Sequence, residues 1–161
     1  MSAQSIQPLE AALWLSELEK LAVRRARADG GAPDQLFRKA FYLIQLAPVS
    51  LRRHIACQVE EETLEGFLDC GAYLSAVVAM IPPPNAVAVV RNTASDRTRA
   101  TVSLSAANCT GEDDDAEPAK ALLGAWLKAV LLFADTGAET FIGRRERLSE
   151  EHSASSQTTK H

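Results

Sequence analysis

The spacing of apolar positions along the chain changes near residue 85, from a helical period to the alternation of strands, and becomes helical again after residue 117. Apolar residues recur every three to four positions on the buried face of a helix, whereas they alternate along a half-buried strand. The pattern predicts an α+β fold with four N-terminal helices, a small antiparallel sheet of two or three strands, and a final helix, in the order α-α-α-α-β-β-(β)-α.

The final helix has the clearest pattern. Pro118 suits its first position, where the missing N–H needs no partner, and Gly137 predicts its end because glycine accepts a left-handed conformation. The apolar face consists of Ala119, Leu122, Leu123, Trp126, Leu127, Val130, Leu131 and Ala134. We expect this face to lie on the sheet, while Lys120, Gly124 and Lys128 occupy the solvent-exposed side of the helix.

Two runs predict the strands. Residues 86–90 are apolar at every position, whereas residues 99–105 alternate, which indicates one buried face. Turn-forming residues at 92–96 connect the two runs as a hairpin, and residues 108–111 can add a short third strand at the edge. Strands that are apolar on both faces are usually covered on both sides. We therefore expect the N-terminal helices or a second copy of the chain to cover residues 86–90; the alternative is an exposed patch that awaits a partner.

Four helical segments are predicted before the sheet. Asp34 and Ser50 can cap the second and third, and Pro48 separates these two. Gly71 lies in a small-residue stripe of the fourth, where it would allow close approach of a neighbouring element. The predicted segments are 8–28, 34–46, 50–59 and 64–78.

The chain is divided by this pattern into three parts that we expect to form one compact domain. Residues 1–60 form a helical segment, and residues 61–137 form an α-β-β-(β)-α core. Residues 138–161 form a C-terminal segment that ends in a polar tail, from residue 149, predicted to be disordered.

Three stretches of the core carry a resemblance to a known family. The helix "LDCGAYLSAVVAMIPPP", the strand "TRATVSLS" and the helix "AEPAKALLGAWLKAVL" resemble the small α-β-α "ABA sandwich" domains of uncharacterised phage and prophage proteins. The resemblance covers roughly residues 69–131. It implies an origin in a mobile element and brings no established activity with it.

The same element order also resembles a double-stranded-RNA-binding domain. Such domains use lysines at the start of their last helix to contact phosphates. This chain instead has acidic residues there, which would repel phosphate. They are Glu112, Asp113, Asp114, Asp115 and Glu117. We therefore reject RNA binding by this core.

Composition bounds the class of protein. The chain has 161 residues, of which 47% are hydrophobic, enough for a core. It has neither an apolar run of about 18 residues nor a signal-peptide pattern, which predicts a cytoplasmic protein with no membrane partner. Cys57, Cys70 and Cys109 are odd in number and lack C-x-x-C spacing, so neither a disulfide framework nor a zinc site is expected.

Candidate chemistry is sparse. The acidic run at 112–117 could hold calcium or magnesium, but it lacks the spacing of a calcium loop, and charge at the start of a helix explains it. His54 precedes Cys57 by three residues, yet a catalytic pair also needs an orienting group and an oxyanion site. None of the common hydrolase, metalloprotease or nucleotide-binding motifs is present. We predict no enzyme activity, no catalytic or metal residues and no cofactor.

Charge is divided unevenly along the chain. Residues 1–59 carry eight Lys/Arg against five Asp/Glu, giving +3, and residues 60–161 carry nine against sixteen, giving −7. The split can mark a binding surface or attach the two parts to each other. The basic residues of the first part are Lys20, Arg24, Arg25, Arg27, Arg38, Lys39, Arg52 and Arg53. Lys20, Arg24, Arg27, Arg52 and Arg53 are the candidates for contact with nucleic acid.

By exclusion, the sequence favours a protein-binding or assembly module. The more specific prediction is an accessory protein of a phage or mobile element that acts on a host or virion protein. We also expect that the chain can form a homo-oligomer. Phe141 and Ile142 are candidate anchors for a partner, flanked by Arg144 and Arg145. The alternative is a nucleic-acid-binding protein that uses the basic N-terminal helices.

Overall fold

The computed structural model describes residues 9–27 and 32–155, with side chains at 9–27 and 32–136. The described residues form six helices and one three-stranded antiparallel sheet, which confirms the α+β prediction. The elements are α1 (Ala11–Ala26), α2 (Pro33–Gln45), α3 (Val49–Ile55), α4 (Glu61–Asp69), α5 (Tyr73–Met80), β1 (Ala86–Asn92), β2 (Arg97–Leu104), β3 (Cys109–Asp115) and α6 (Pro118–Ser155).

Helix α6 lies at the centre of the fold. It packs on β3 and β2 and also contacts α1 and α5. The predicted apolar face is in the core, and Trp126 is fully buried. Because α6 has neighbours on both sides, its small residues are buried as well. They include Ala121, Ala125 and Ala129.

Helix α6 does not end where the sequence predicts. It continues through Gly137 to Ser155, because a glycine inside a helix costs only about 0.5–1 kcal/mol relative to alanine. Residues 149–155, predicted to be disordered, are therefore helical. The rest of that predicted tail, residues 156–161, lies outside the described residues.

The sheet has the strand order β1-β2-β3. Ala100, Val102 and Leu104 of β2 are buried as predicted. Strand β3 is longer than predicted, because it includes most of the acidic run. The interpretation of that run as charge at a helix start is therefore wrong. Its carboxylates alternate along a strand, where arginines of other elements neutralise them.

The fourth predicted helix is two helices, α4 and α5. Gly71 separates them with a φ of +68°. Its N–H donates to the Leu68 carbonyl at 2.9 Å, and the Ala72 N–H donates to the Phe67 carbonyl at 2.8 Å. This pair of bonds is the Schellman motif that ends many helices. A Cβ at Gly71 would have no atom within 4 Å, so Gly71 serves this turn and not a close approach.

The N-terminal helices are also capped differently from the prediction. The N-cap residues of α2 and α3 are Ala32 and Pro48. Asp34 lies inside the first turn of α2, where it accepts a hydrogen bond from the Tyr73 hydroxyl at 2.8 Å. Between α1 and α2, the Trp14 indole N–H donates to the Leu43 carbonyl at 2.7 Å. These contacts attach the N-terminal helices to the single buried cluster that includes α6 and β2.

A candidate docking surface on the sheet edge

The most exposed apolar element is β1. All seven of its residues are exposed, so the expectation that the N-terminal helices cover residues 86–90 is wrong, and a second copy or an exposed patch remain of the predicted alternatives. The reason is position: β1 lies at the edge of the sheet, and α6 packs mainly on β3 and β2. In the part of the chain that the structure describes, no strand pairs with the other side of β1. We call residues 86–90 with this free side the apolar edge.

The register divides the apolar edge between the two faces of the sheet. Val87 and Val89 pair with buried residues of β2, so they point toward the side of α6, yet each remains 38% exposed. Ala86, Ala88 and Val90 point to the outer face, and Val90 is 63% exposed. Both faces of this strand therefore present apolar side chains to solvent.

Charge is nearly absent from β1. Its single ionisable residue is Arg91, which forms an ion pair with Asp96 of the hairpin turn. Both side chains are largely exposed, so the pair contributes little stability. It does balance the charge at one end of the apolar edge.

The opposite edge of the sheet, β3, is acidic. Glu112 and Asp114 point to the outer face, where they form ion pairs with Arg99 and Arg97 of β2. Charged side chains are a common means of preventing an edge strand from pairing with another chain. We call residues 112–115 of β3 the acidic edge.

The inward side of the acidic edge holds a buried ion pair. Asp113 and Arg25 of α1 are both about nine-tenths buried and contact each other. Arg25 also donates to the Asp115 carboxylate at 3.3 Å and to the Lys120 carbonyl at 3.4 Å. The contact joins the basic first part of the chain to its acidic second part, and it removes Arg25 from the basic surface.

The ion pair fits only because Gly124 lies beneath it. A Cβ at Gly124 would be 1.8 Å from the Asp113 Oδ2 atom and 2.7 Å from the Arg25 guanidinium carbon. Gly124 is thus buried, and the prediction that it lies on the solvent-exposed side of α6 is wrong. The period of apolar residues could not reveal this, because the two charged partners come from α1 and β3.

A groove of about 330 Å³ lies between β3 and α6. Lys128 crosses it, donating to the Glu112 carbonyl at 3.1 Å and to the Asp113 carboxylate at 2.7 Å. Leu132, 48% exposed, forms part of its apolar wall. Among the described side chains, no group of three or more His, Cys, Asp or Glu is arranged to hold a metal.

Of the candidate nucleic-acid residues, Lys20 and Arg24 lie on α1, Arg27 follows its last residue, and Arg52 and Arg53 lie on α3; both helices contact α2. Arg24, Arg27 and Arg53 are exposed, and Arg52 is half-buried. Lys20 is exposed but forms an ion pair with Glu17 at 2.8 Å. The structure therefore does not collect all five candidates on one helix face.

Acidic neighbours reduce the basic character of this region further. Hydrogen bonds from Lys20 and Lys39 lower the pKa of Glu17 from its usual value of 4.5 to about 2. Arg38 donates to Glu65 at 2.7 Å through Nε, which lowers the pKa of that carboxyl. Part of the positive charge counted in the sequence is thus neutralised locally.

His54 and Cys57 do not have the features of a catalytic base and its nucleophile. The His54 Nε2 atom accepts a hydrogen bond from Arg53 at 2.8 Å, and its ring packs edge-on against Phe133 at 5.4 Å between centroids. Burial raises the pKa of the Cys57 thiol, which disfavours the reactive thiolate.

The predicted anchors Phe141 and Ile142, with Arg144 and Arg145, belong to α6. Their side chains lie outside the described set, so their contacts stay a prediction.

Comparison of the chain with protein-family models, curated proteins and solved structures finds no match. The resemblance to ABA sandwich domains therefore stays a prediction. Among the described helices, none combines the length and apolar character needed to cross a membrane.

Proposed function

We propose that this protein is a non-enzymatic protein-binding or assembly module that contacts its partner through the apolar edge. The observation that carries the proposal is that five consecutive apolar residues lie exposed along a strand whose second side is unpaired within the described chain. An edge strand of this kind offers backbone hydrogen bonds and apolar contacts to an added strand.

The contrast with the acidic edge supports a role in binding. Both edges could pair with another chain through their backbones, but only β3 carries the charges that oppose such pairing. The natural setting that we propose is the cytoplasm, as an accessory protein of a phage or mobile element acting on a host or virion protein. The ABA sandwich resemblance supports this part of the proposal.

Site-specific photo-crosslinking tests the proposal. The full chain carries a photoreactive amino acid at Val90 in one variant and at Val49 in the control, which is 71% exposed on α3. After irradiation in cells, we expect a crosslinked polypeptide, either a second copy or another protein, from the Val90 variant alone. An absence of adducts at Val90, or equal yields at both positions, would contradict the proposal.

Nucleic-acid binding through Arg24, Arg27 and Arg53 is the second candidate, because these three side chains are exposed. It ranks lower because Arg25 is buried against Asp113 and Lys20 is paired with Glu17. Phosphate contacts require affinity that falls steeply with added salt. An electrophoretic shift at low salt, weakened by joint substitution of the three arginines with glutamine, would support this candidate.

A further inference from the structure

The occupant of the apolar edge can be argued from charge and symmetry. We infer that it is a second copy of this chain, paired antiparallel through β1 to form a continuous six-stranded sheet about a twofold axis. The inference rests on the proposed function and names the partner of the same surface.

The two edges allow three pairings between copies. Pairing β3 with β3 would oppose two acidic edges, and like charges directly opposite each other destabilise a sheet. Pairing β1 with β3 would place apolar residues 86–90 against acidic residues 112–115, and such a head-to-tail contact leaves one edge of each kind open for further addition. Pairing β1 with β1 matches apolar to apolar and closes with two copies.

One register places the whole apolar run against itself. With the twofold axis at Ala88, Ala86 lies opposite Val90 of the other copy, and Val87 lies opposite its Val89. Opposed residues of paired strands share a face, so the valines that point toward α6 in each copy form one cluster. A shift of the axis by one residue to Val89 would place Arg91 opposite Val87.

Charge does not oppose this register. The two Arg91 residues would lie six positions apart along the paired strands, about 20 Å at the usual rise. This separation exceeds the Debye length of about 8 Å at physiological salt. Each Arg91 also retains its ion pair with Asp96.

Sedimentation equilibrium of the purified full chain provides the first test. We expect a concentration-dependent dimer for the wild type and loss of that dimer for Val90→Lys. The matched control is Val49→Lys, at an exposed position outside the sheet, which should dimerise as the wild type does. Because Val90 is exposed in the single chain, Val90→Lys should keep the wild-type circular dichroism spectrum and, at concentrations where the wild type is monomeric, the wild-type urea midpoint.

Disulfide trapping tests the register. In a Cys70→Ser background, which removes an exposed native thiol, Ala88→Cys places two cysteines opposite each other at the axis. Their Cα atoms would be about 4.5–5.5 Å apart, within the range for a disulfide. Asn92→Cys is the control, because the two copies of position 92 lie eight positions apart, about 27 Å. We expect a covalent dimer from Ala88→Cys and none from Asn92→Cys.

The outcomes distinguish this inference from the proposed function. A chain that stays monomeric at every concentration overturns the second copy as occupant, while a different protein crosslinked at Val90 would still support a binding module. A dimer that survives Val90→Lys, or that forms no disulfide at Ala88, overturns β1 pairing. Dimerisation that Val90→Lys abolishes, with trapping at Ala88, supports both.

Discussion

The two edge strands of the sheet differ in charge and in attachment. Strand β3 carries four acidic residues and is held to α6 and α1 by Lys128 and Arg25. Strand β1 carries one charge, contacts α6 less, and exposes valine on both faces. The exposure of β1 is therefore specific to that strand and not a general property of this small sheet. The opposite edge, β3, is protected by its charged residues.

The largest expected effect comes from removing the arginine that holds the acidic edge. Arg25→Met leaves the Asp113 carboxylate buried with only Lys128 beside it. Breaking a buried ion pair on one side costs about 3–5 kcal/mol, and we expect about 3 kcal/mol because Lys128 remains. The free energy of unfolding in urea measures the loss.

The control for this substitution is Arg24→Met, the neighbouring exposed residue on α1. Surface substitutions usually change stability by less than about 0.5 kcal/mol. Equal effects of the two substitutions would show that the Arg25 contact does not attach α1 to β3.

The next effect tests how closely β3 lies on α6. A Cβ at Gly111 would be 2.0 Å from the Ala125 carbonyl oxygen and 2.5 Å from the Ala129 nitrogen, both backbone atoms. Gly111→Ala must therefore move a strand away from a helix, and we expect a loss of about 2–3 kcal/mol in the free energy of unfolding.

Gly66→Ala provides the opposite expectation at a matched substitution. Gly66 is exposed on α4, and a Cβ there has no atom within 4 Å. Alanine should stabilise the helix by about 0.5–1 kcal/mol. If Gly111→Ala stabilised the protein as well, the close contact between β3 and α6 would be refuted.

Much of the fold could be predicted from the sequence, because α6 and β2 each have a regular apolar period that local spacing reveals. The contacts of Gly111 and Gly124 could not, since their partners come from elements distant in sequence. The role of the acidic run could not be predicted for a related reason: its neutralising residues, such as Arg25 and Arg99, are identified only by the strand register and the position of α1. The sequence left open whether the N-terminal helices, a second copy or no element covers residues 86–90, because a sequence does not show which strand is an edge.

A smaller effect concerns assembly and tests the role of charge directly. Glu112→Val with Asp114→Val would turn the acidic edge into a second apolar edge on the outer face. Pairing of β1 with β3 of another copy would then be allowed, and open-ended assembly would follow. We expect species larger than the wild type in sedimentation velocity.

Adding Val90→Lys to these two substitutions should reduce the larger species, since it places charge on β1 instead. A double variant that sediments as the wild type does would show that charge is not what protects β3.

The smallest effect concerns pH at α1. Because the pKa of Glu17 is lowered to about 2 from 4.5, the folded state binds this proton at lower pH than the unfolded chain does. The stabilising contribution is therefore present above pH 4.5 and is lost as pH falls toward 2. In a carbon-13 NMR titration, Lys20→Met and Lys39→Met should each raise the Glu17 pKa, because both lysines hydrogen-bond this carboxylate. An unchanged Glu17 pKa in both variants would contradict the role of these lysines.

The two buried indoles give this protein built-in optical reporters. Trp14 is bonded to the Leu43 carbonyl between α1 and α2, whereas Trp126 lies in the core on α6. Emission from Trp14 therefore follows the helical layer, and emission from Trp126 follows the central helix. With each replaced in turn by phenylalanine, coincident fluorescence transitions would mark cooperative unfolding of both layers, and separate transitions would reveal the order in which they come apart.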